Sequence, residues 1–371
     1  MTDLPTVSIT GIGACTPWGE GAAATGLAGL LPEDLDTAAL RPDPGGTAGD
    51  DDRGTRYRDR ASDLALRAAG PALRDAGLAG LLLDDRDEEF AEAVATVVST
   101  GYGALENVCA AVDTIDRHSS AALSPMTAHA MSSHVVGSWV TIRYGLRGPC
   151  LTLCDGPPSG IDALHWARNL IVMRRARAAL VIGVEPDTAP VARLLGDAAP
   201  RFDGAAALIL EPRDAALARG ARPYADLGGY ARRPDPAEAA AAALDTPADL
   251  WLPPEAPTRS PAPTTTPEAA FGAGGGEAAR SVDLAVRLGR SAGALGVLQC
   301  AVAGLLIDGG AARSALACCG GAADEGAADG GAADGGAADG GAAALALLAP
   351  PGPVPGRAHA IATTEGREPP P

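Results

Sequence analysis

The residue types able to do chemistry crowd into one short stretch, "LTLCDGPPSG" at 151–160. It reads as a strand, a tight turn and the start of a helix, the geometry in which an enzyme exposes a nucleophile at the positive end of a helix dipole. Leu151, Thr152, Leu153 and Cys154 have the pattern of a short buried strand, 155–158 of the turn, and "SGIDALHWARNLIVMRRARA" from Ser159 of the helix. The exposed corner nevertheless holds Gly156, Pro157 and Pro158, and none of these can attack a carbonyl. Cys154 falls inside the presumed strand, so a buried, inert thiol is expected there. Asp155 is placed to cap the helix that follows.

The other reactive residues are scattered. Of the five histidines (His118, His129, His134, His165 and His359), His165 lies on the helix after the turn and is expected to pack or to face solvent. Cys150 and Cys154 have no His or second Cys pair at ligand spacing, so no metal site is expected. Gly11 and Gly13 in "TGIGACTPWG" lack the third glycine and the later acidic residue of a dinucleotide fingerprint, and read as a strand end and turn.

These residues must be positioned by alternating strands and helices. "TVSITGIGACTP", "AALVIGVEP", "GAAALILEP" and "GGAAALALLAP" read as strands, the middle two apolar throughout, as in strands covered on both faces. Residues 60–78 form an amphipathic helix, and "ALENVCAAVDTIDR" a helix expected to bury Leu105, Val108, Cys109, Val112 and Ile115 on one face. "VDLAVRLGRSAGALGVLQCAVAGLLIDGG" reads as a turn and a long buried helix. The alternation implies a layered α/β protein. Three stretches read as irregular: 41–56, the Pro-dense 253–267, and 320–342, whose Gly/Ala/Asp repeat has no bulky side chain to bury and is expected to be disordered.

The chain has 371 residues, 47% of them hydrophobic, enough for one large core or two fused ones. Its net charge of −17, with Arg as the whole basic complement and no Lys, argues against nucleic acid as a partner. The absence of a long apolar run and of a signal pattern leads to the expectation of a cytoplasmic protein with no membrane contact. The seven cysteines suit reduced thiols, most of them buried.

On these residues the sequence resembles the β-ketoacyl synthases of the thiolase superfamily. "GLRGPCLTLCDGPPSGIDALHWARNLI" is similar to their nucleophile segment, "VSITGIGACTPWG" to their first strand, "VIGVEP" to the strand after the nucleophile helix, and "LGRSAGALGVLQCAVAGLLIDGG" to their Gly-His-x-x-Gly-Ala segment. The resemblance implies an α/β thiolase-like fold with duplicated αβαβα layered halves, here 1–215 and 216–371. It places the family's cysteine at Pro157, one histidine at Arg290 and the lysine before it near Ala285. The other histidine's loop would lie where Pro253, Pro254 and Glu255 stand, so every catalytic group that the family uses is replaced.

A ketosynthase fold without its chemistry resembles the chain-length factor, the β subunit of type II polyketide and polyene synthases. Those subunits usually carry glutamine at the cysteine position, and this chain has Pro157. The stretch between Glu185 and Phe202 is short and the Gly-Phe-Gly-Gly loop is missing, which marks a divergent member. The resemblance implies an active ketosynthase as heterodimer partner, docking of an acyl carrier protein mainly through that partner, and no cofactor. It further implies a dimer interface at Cys150, Leu151, Thr152, Leu153, Cys154, His129 and His134, and an acyl tunnel lined by Asn107, Ala110, Ala111 and Thr114. The alternatives are a divergent acyltransferase with reassigned residues, using Arg290 or a histidine, and a non-catalytic scaffold of a biosynthetic complex.

Overall fold

The computed structural model describes residues 4–32, 58–84, 87–195, 200–244, 247–255, 279–320 and 341–351. Its strands are β1 (Val7–Thr16), β2 (Gly19–Ala22), β3 (Val94–Ser99), β4 (Cys150–Leu153), β5 (Ala178–Glu185), β6 (Gly204–Pro212), β7 (Ala225–Arg233), β8 (Leu250–Leu252), β9 (Arg280–Ser281), β10 (Ser314–Cys319) and β11 (Ala342–Leu348). They hydrogen-bond in the order β4-β3-β5-β6-β1-β7-β11-β10-β8-β9, with β2 folded back on β1. Apart from β2, each half has five strands among the described residues, and both halves obey one rule. The first runs third, second, fourth, fifth, first from its outer edge, and the second runs first, fifth, fourth, second, third. Ser8 and Ile9 of β1 meet Asp226 and Ala225 of β7 where the halves join. The architecture is therefore a duplication.

The layers follow from which residues of each strand share a core. Ala179 and Val181 of β5 and Leu208 and Leu210 of β6 face the central core, together with Ala315 and Ala317 of β10 and Leu345 and Leu347 of β11. Their neighbours Leu180, Ile182 and Ile209 face an outer layer holding the Arg60–Asp75 and Val135–Tyr144 helices. On the far side, Leu316, Ala344 and Ala346 face the Pro236–Ala243 helix. This period of two is what a strand covered on both faces requires. The central layer is made by the Ser159–Val172 and Leu295–Asp308 helices, the second buried at every position from Leu295 to Ile307. The two come together at glycines, since a Cβ on Gly160 would lie 2.9 Å from the Gly293 carbonyl oxygen and one on Gly296 2.6 Å from the Ile161 nitrogen.

Several expectations need correction. Gly11 and Gly13 lie within β1 rather than at its end, and a Cβ on Gly13 would meet the Ala68 carbonyl oxygen at 2.4 Å, so close helix packing accounts for the glycine. The Leu105–His118 helix does not bury the apolar face expected of it. Ala111 is its buried residue, while Val112 and Ile115 are 58% and 45% exposed. Leu105, Val108 and Cys109 are half-buried, and the stripe is exposed only at Val112 and Ile115. Pro253 and Pro254 are irregular, as expected, and they are buried. Ala342, at the end of the repeat, is already the first residue of β11. Residues 41–56, 256–267 and 321–340 lie outside the described residues. Among the described residues, no helix is long and apolar enough to cross a membrane.

Candidate active site: a degenerate turn at the meeting of two halves

β4 ends at Leu153, one residue earlier than the sequence pattern suggests, because the chain turns at Asp155 to enter the central helix. Cys154 is consequently exposed rather than buried. Partial desolvation still raises its thiol, and the nearby Glu185 and Asp155 carboxylates add to the rise, so it is no activated thiolate. Gly156 takes the turn with φ of +77°, and Pro157 sits exposed at the corner with Pro158 as the helix N-cap. Asp155 does not cap the helix with its side chain. Its backbone N–H instead donates to Ser159 Oγ at 2.7 Å. The corner thus presents the positive end of a helix with neither a nucleophile nor a backbone N–H at 157 or 158, since proline has none.

The segments holding Arg290 and Pro253, two positions that the resemblance singles out, lie close to the start of the Leu295–Asp308 helix. The Arg290 N–H donates to the Pro200 carbonyl and its carbonyl accepts from the Phe202 N–H, both at 2.9 Å, so backbone pairing fixes the half-buried arginine. Next to it, the Ser291 N–H donates to Glu255 Oε2 at 3.2 Å, and the buried Ser291 Oγ has no hydrogen-bond partner among the described residues. Pro253 is held from behind by Gln299, whose Nε2 donates to the Leu252, Pro253 and Cys318 carbonyls at 3.3, 2.7 and 3.0 Å. Gly293 of the 292–294 turn then meets Gly160, three residues after Pro157. These contacts join the segments that carry Pro157, Arg290 and Pro253, and none of these three residues offers a base, a thiol or an imidazole.

Glu185 is the group that sequence reasoning passed over. It closes β5, is fully buried, and accepts from the Gly101 N–H at 2.5 Å, the Gly293 N–H at 3.0 Å and the Tyr102 N–H at 3.2 Å. Burial pushes its carboxyl up to about 8, with those backbone donors pulling the other way. The available signal was a lone acid at the end of the uniformly apolar "AALVIGVE".

His165 packs rather than reacts. Its ring stacks on Tyr230 at 3.7 Å between centroids, burial lowers its pKa, and its Nε2 lies 3.0 Å from Asn169 Nδ2. On the same helix, the buried Asp162 accepts from the Tyr230 hydroxyl at 2.8 Å and pairs with Arg232. His129 and His134 are exposed, His134 Nδ1 lying 3.4 Å from Thr152 Oγ1, and neither approaches the turn through any hydrogen bond described. β4, with Cys150, Leu151, Thr152 and Leu153, is half-buried and forms an outer edge of the sheet. Of the helix positions expected to line a tunnel, Ala110 is exposed and Ala111 is buried in its own chain. The Asn107 side chain is tied to Asp59 Oδ2 and the Ala130 carbonyl, both at 3.1 Å, and Thr114 Oγ1 donates to the Ala110 carbonyl at 2.8 Å. Among the described residues no group of three or more His, Cys, Asp or Glu is gathered to hold a metal ion.

Comparison with known proteins gives a consistent picture. The family model described as β-ketoacyl synthase, N-terminal domain, matches residues 44–202. A Streptomyces virginiae protein assigned as a polyketide β-ketoacyl synthase is 30% identical over 269 residues, 62% of this chain and 65% of that protein, so the chain spans just under two thirds of that relative. Among solved structures, a type II polyketide synthase acyl-carrier protein in complex with its ketosynthase bound to the hexaketide superposes with a TM-score of 0.71 at 18% identity, over 94% of this chain and 100% of that one. The ishigamide ketosynthase/chain length factor superposes with a TM-score of 0.64 at 23% identity, over 93% and 99%. At these identities the structural matches speak for the fold, which is that of the thiolase-like ketosynthases.

Proposed function

We propose that this chain is a ketosynthase-like protein of the type II polyketide synthase kind and, within it, a non-condensing subunit. In this reading it is a chain-length factor that pairs with an active ketosynthase and shapes the path of the growing acyl chain. The observation that carries this reading is Pro157 at the exposed corner. Condensation in this family needs a thiolate to take the acyl group and donors to hold the thioester oxyanion. Proline removes the thiol and one backbone donor together, and Arg290 and Pro254 stand where the resemblance places the imidazoles.

Two surface features support pairing. The Leu105–His118 helix turns Val112 and Ile115 to solvent, and β4 leaves a strand edge open. Unpaired edges and apolar stripes are costly in a lone chain and stabilising across an interface. The net charge of −17 favours carrier docking mainly on the partner, because an acidic surface repels an acidic carrier. We place the boundary of the halves at 215/216, within the Arg213–Ala218 helix that joins β6 to β7.

The reading is tested by incubating the purified chain with a malonyl-loaded carrier and following CO2 release. No release above the enzyme-free rate is expected, and clear release without a partner would overturn the proposal.

A further inference from the structure

Glu185 lies between the two halves, and one of its oxygens serves both. Oε1 accepts from Gly101 N–H of the first half and Gly293 N–H of the second, while Oε2 accepts from Tyr102 N–H. Gly101 and Tyr102 belong to the loop that leads from β3 into the Leu105–His118 helix. That helix has no side-chain cap at its start, and its Leu105 N–H donates to the Tyr102 carbonyl at 3.1 Å. Gly293 belongs to a turn in which Ala292 has a φ of +35°, a backbone state that a residue with a Cβ holds only when its surroundings impose it. The groups that satisfy the buried carboxylate are backbone N–H groups and the Thr100 hydroxyl, with no cation among them. Burying such a group is costly, so its position needs a reason beyond packing.

We propose that Glu185 is a positioning residue: its shared oxygen fixes the entry of the Leu105–His118 helix relative to the 292–294 turn, and so sets where the small residues of that helix stand along the acyl path. This rests on the chain-length reading above, yet the clasp itself is measurable in the chain's own backbone. Glu185→Gln retains the shared acceptor Oε1 and replaces Oε2 by a donor that faces Tyr102 N–H. Glu185→Met keeps a similar volume and removes both acceptors.

Amide hydrogen exchange, followed by mass spectrometry on peptides covering 100–104 and 291–295 of the full chain co-purified with its ketosynthase partner, separates the cases, with product lengths measured on the same samples. Glu185→Met should speed exchange in both peptides by about tenfold or more and broaden the range of product lengths. Glu185→Gln should restore 291–295 and the products to wild-type behaviour while leaving 100–104 faster. Unchanged exchange in both peptides of Glu185→Met would overturn the proposal, and so would faster exchange with unaltered products. If Glu185→Met does not accumulate, Glu185→Gln decides: faster exchange confined to 100–104 supports the clasp, and wild-type exchange in both peptides refutes it. A failure of the chain-length reading looks different, because then the partner does not co-purify whatever stands at 185.

Discussion

On the proposed reading, Pro157 removes a thiol and an N–H together, two requirements that a cysteine at that corner would meet. Pro157→Cys restores both at the start of a helix, where the dipole favours a thiolate. Because the corner is exposed, the substitution should change stability by no more than about 1 kcal/mol. The expected outcome is one new, rapidly alkylated thiol, detected by iodoacetamide labelling and mass spectrometry, with condensation still absent because no imidazole faces it. Glu185 supplies a second prediction at this scale. Its folded carboxyl is raised to about 8, above the ordinary carboxylate value, so its contribution to stability is fully present below about pH 4.5 and is lost as pH rises towards 8. Melting temperatures measured across that window should fall more steeply for the wild type than for Glu185→Gln, which cannot ionise. Parallel slopes would show that the carboxylate does not titrate there. Pro157 was legible in the sequence because a motif surrounds it. Glu185 was not, because its significance lies in donors from residues 84 and 108 positions away.

The Leu105–His118 helix shows what periodicity does and does not determine. The apolar spacing correctly indicates a helix with a stripe, but spacing is blind to whether the covering surface belongs to the same chain. Val112→Asp and Ile115→Asp should therefore leave the chain's own stability within about 0.5 kcal/mol while abolishing co-purification with the partner. Equal loss of both folding and pairing would mean that the stripe serves the chain's own core. The neighbouring alanines should behave differently from each other. Ala111 is 2% exposed, so Ala111→Phe overpacks its own core at a cost of about 1 to 3 kcal/mol. Ala110 is exposed, so Ala110→Phe should leave the melting temperature alone and shorten the products of the reconstituted pair. A similar lesson applies at β4, where the strand pattern was legible and its end was not, since the turn at Asp155 releases Cys154 to the surface.

At the scale of the molecule, the duplication was readable only through the resemblance. The second half carries short, Ala-rich strands whose propensity is weak, and burial on both faces makes them strands here. β10 and β11 are antiparallel neighbours, with Cys319 opposite Ala343, so a few residues suffice to join them. Replacing 321–340 by a short glycine linker should therefore shift stability by only about 1 kcal/mol, since loop-closure entropy grows slowly with length. A large loss of melting temperature would show that the repeat packs. The central claim concerns which subunit carries the acyl chain. Intact-protein mass spectrometry of this chain reconstituted with an active ketosynthase, quenched during turnover with acyl- and malonyl-loaded carrier, reads that directly. The account predicts an acyl adduct on the partner and none on this chain, whereas a covalent acyl adduct on this chain, at Cys154 or elsewhere, would contradict it.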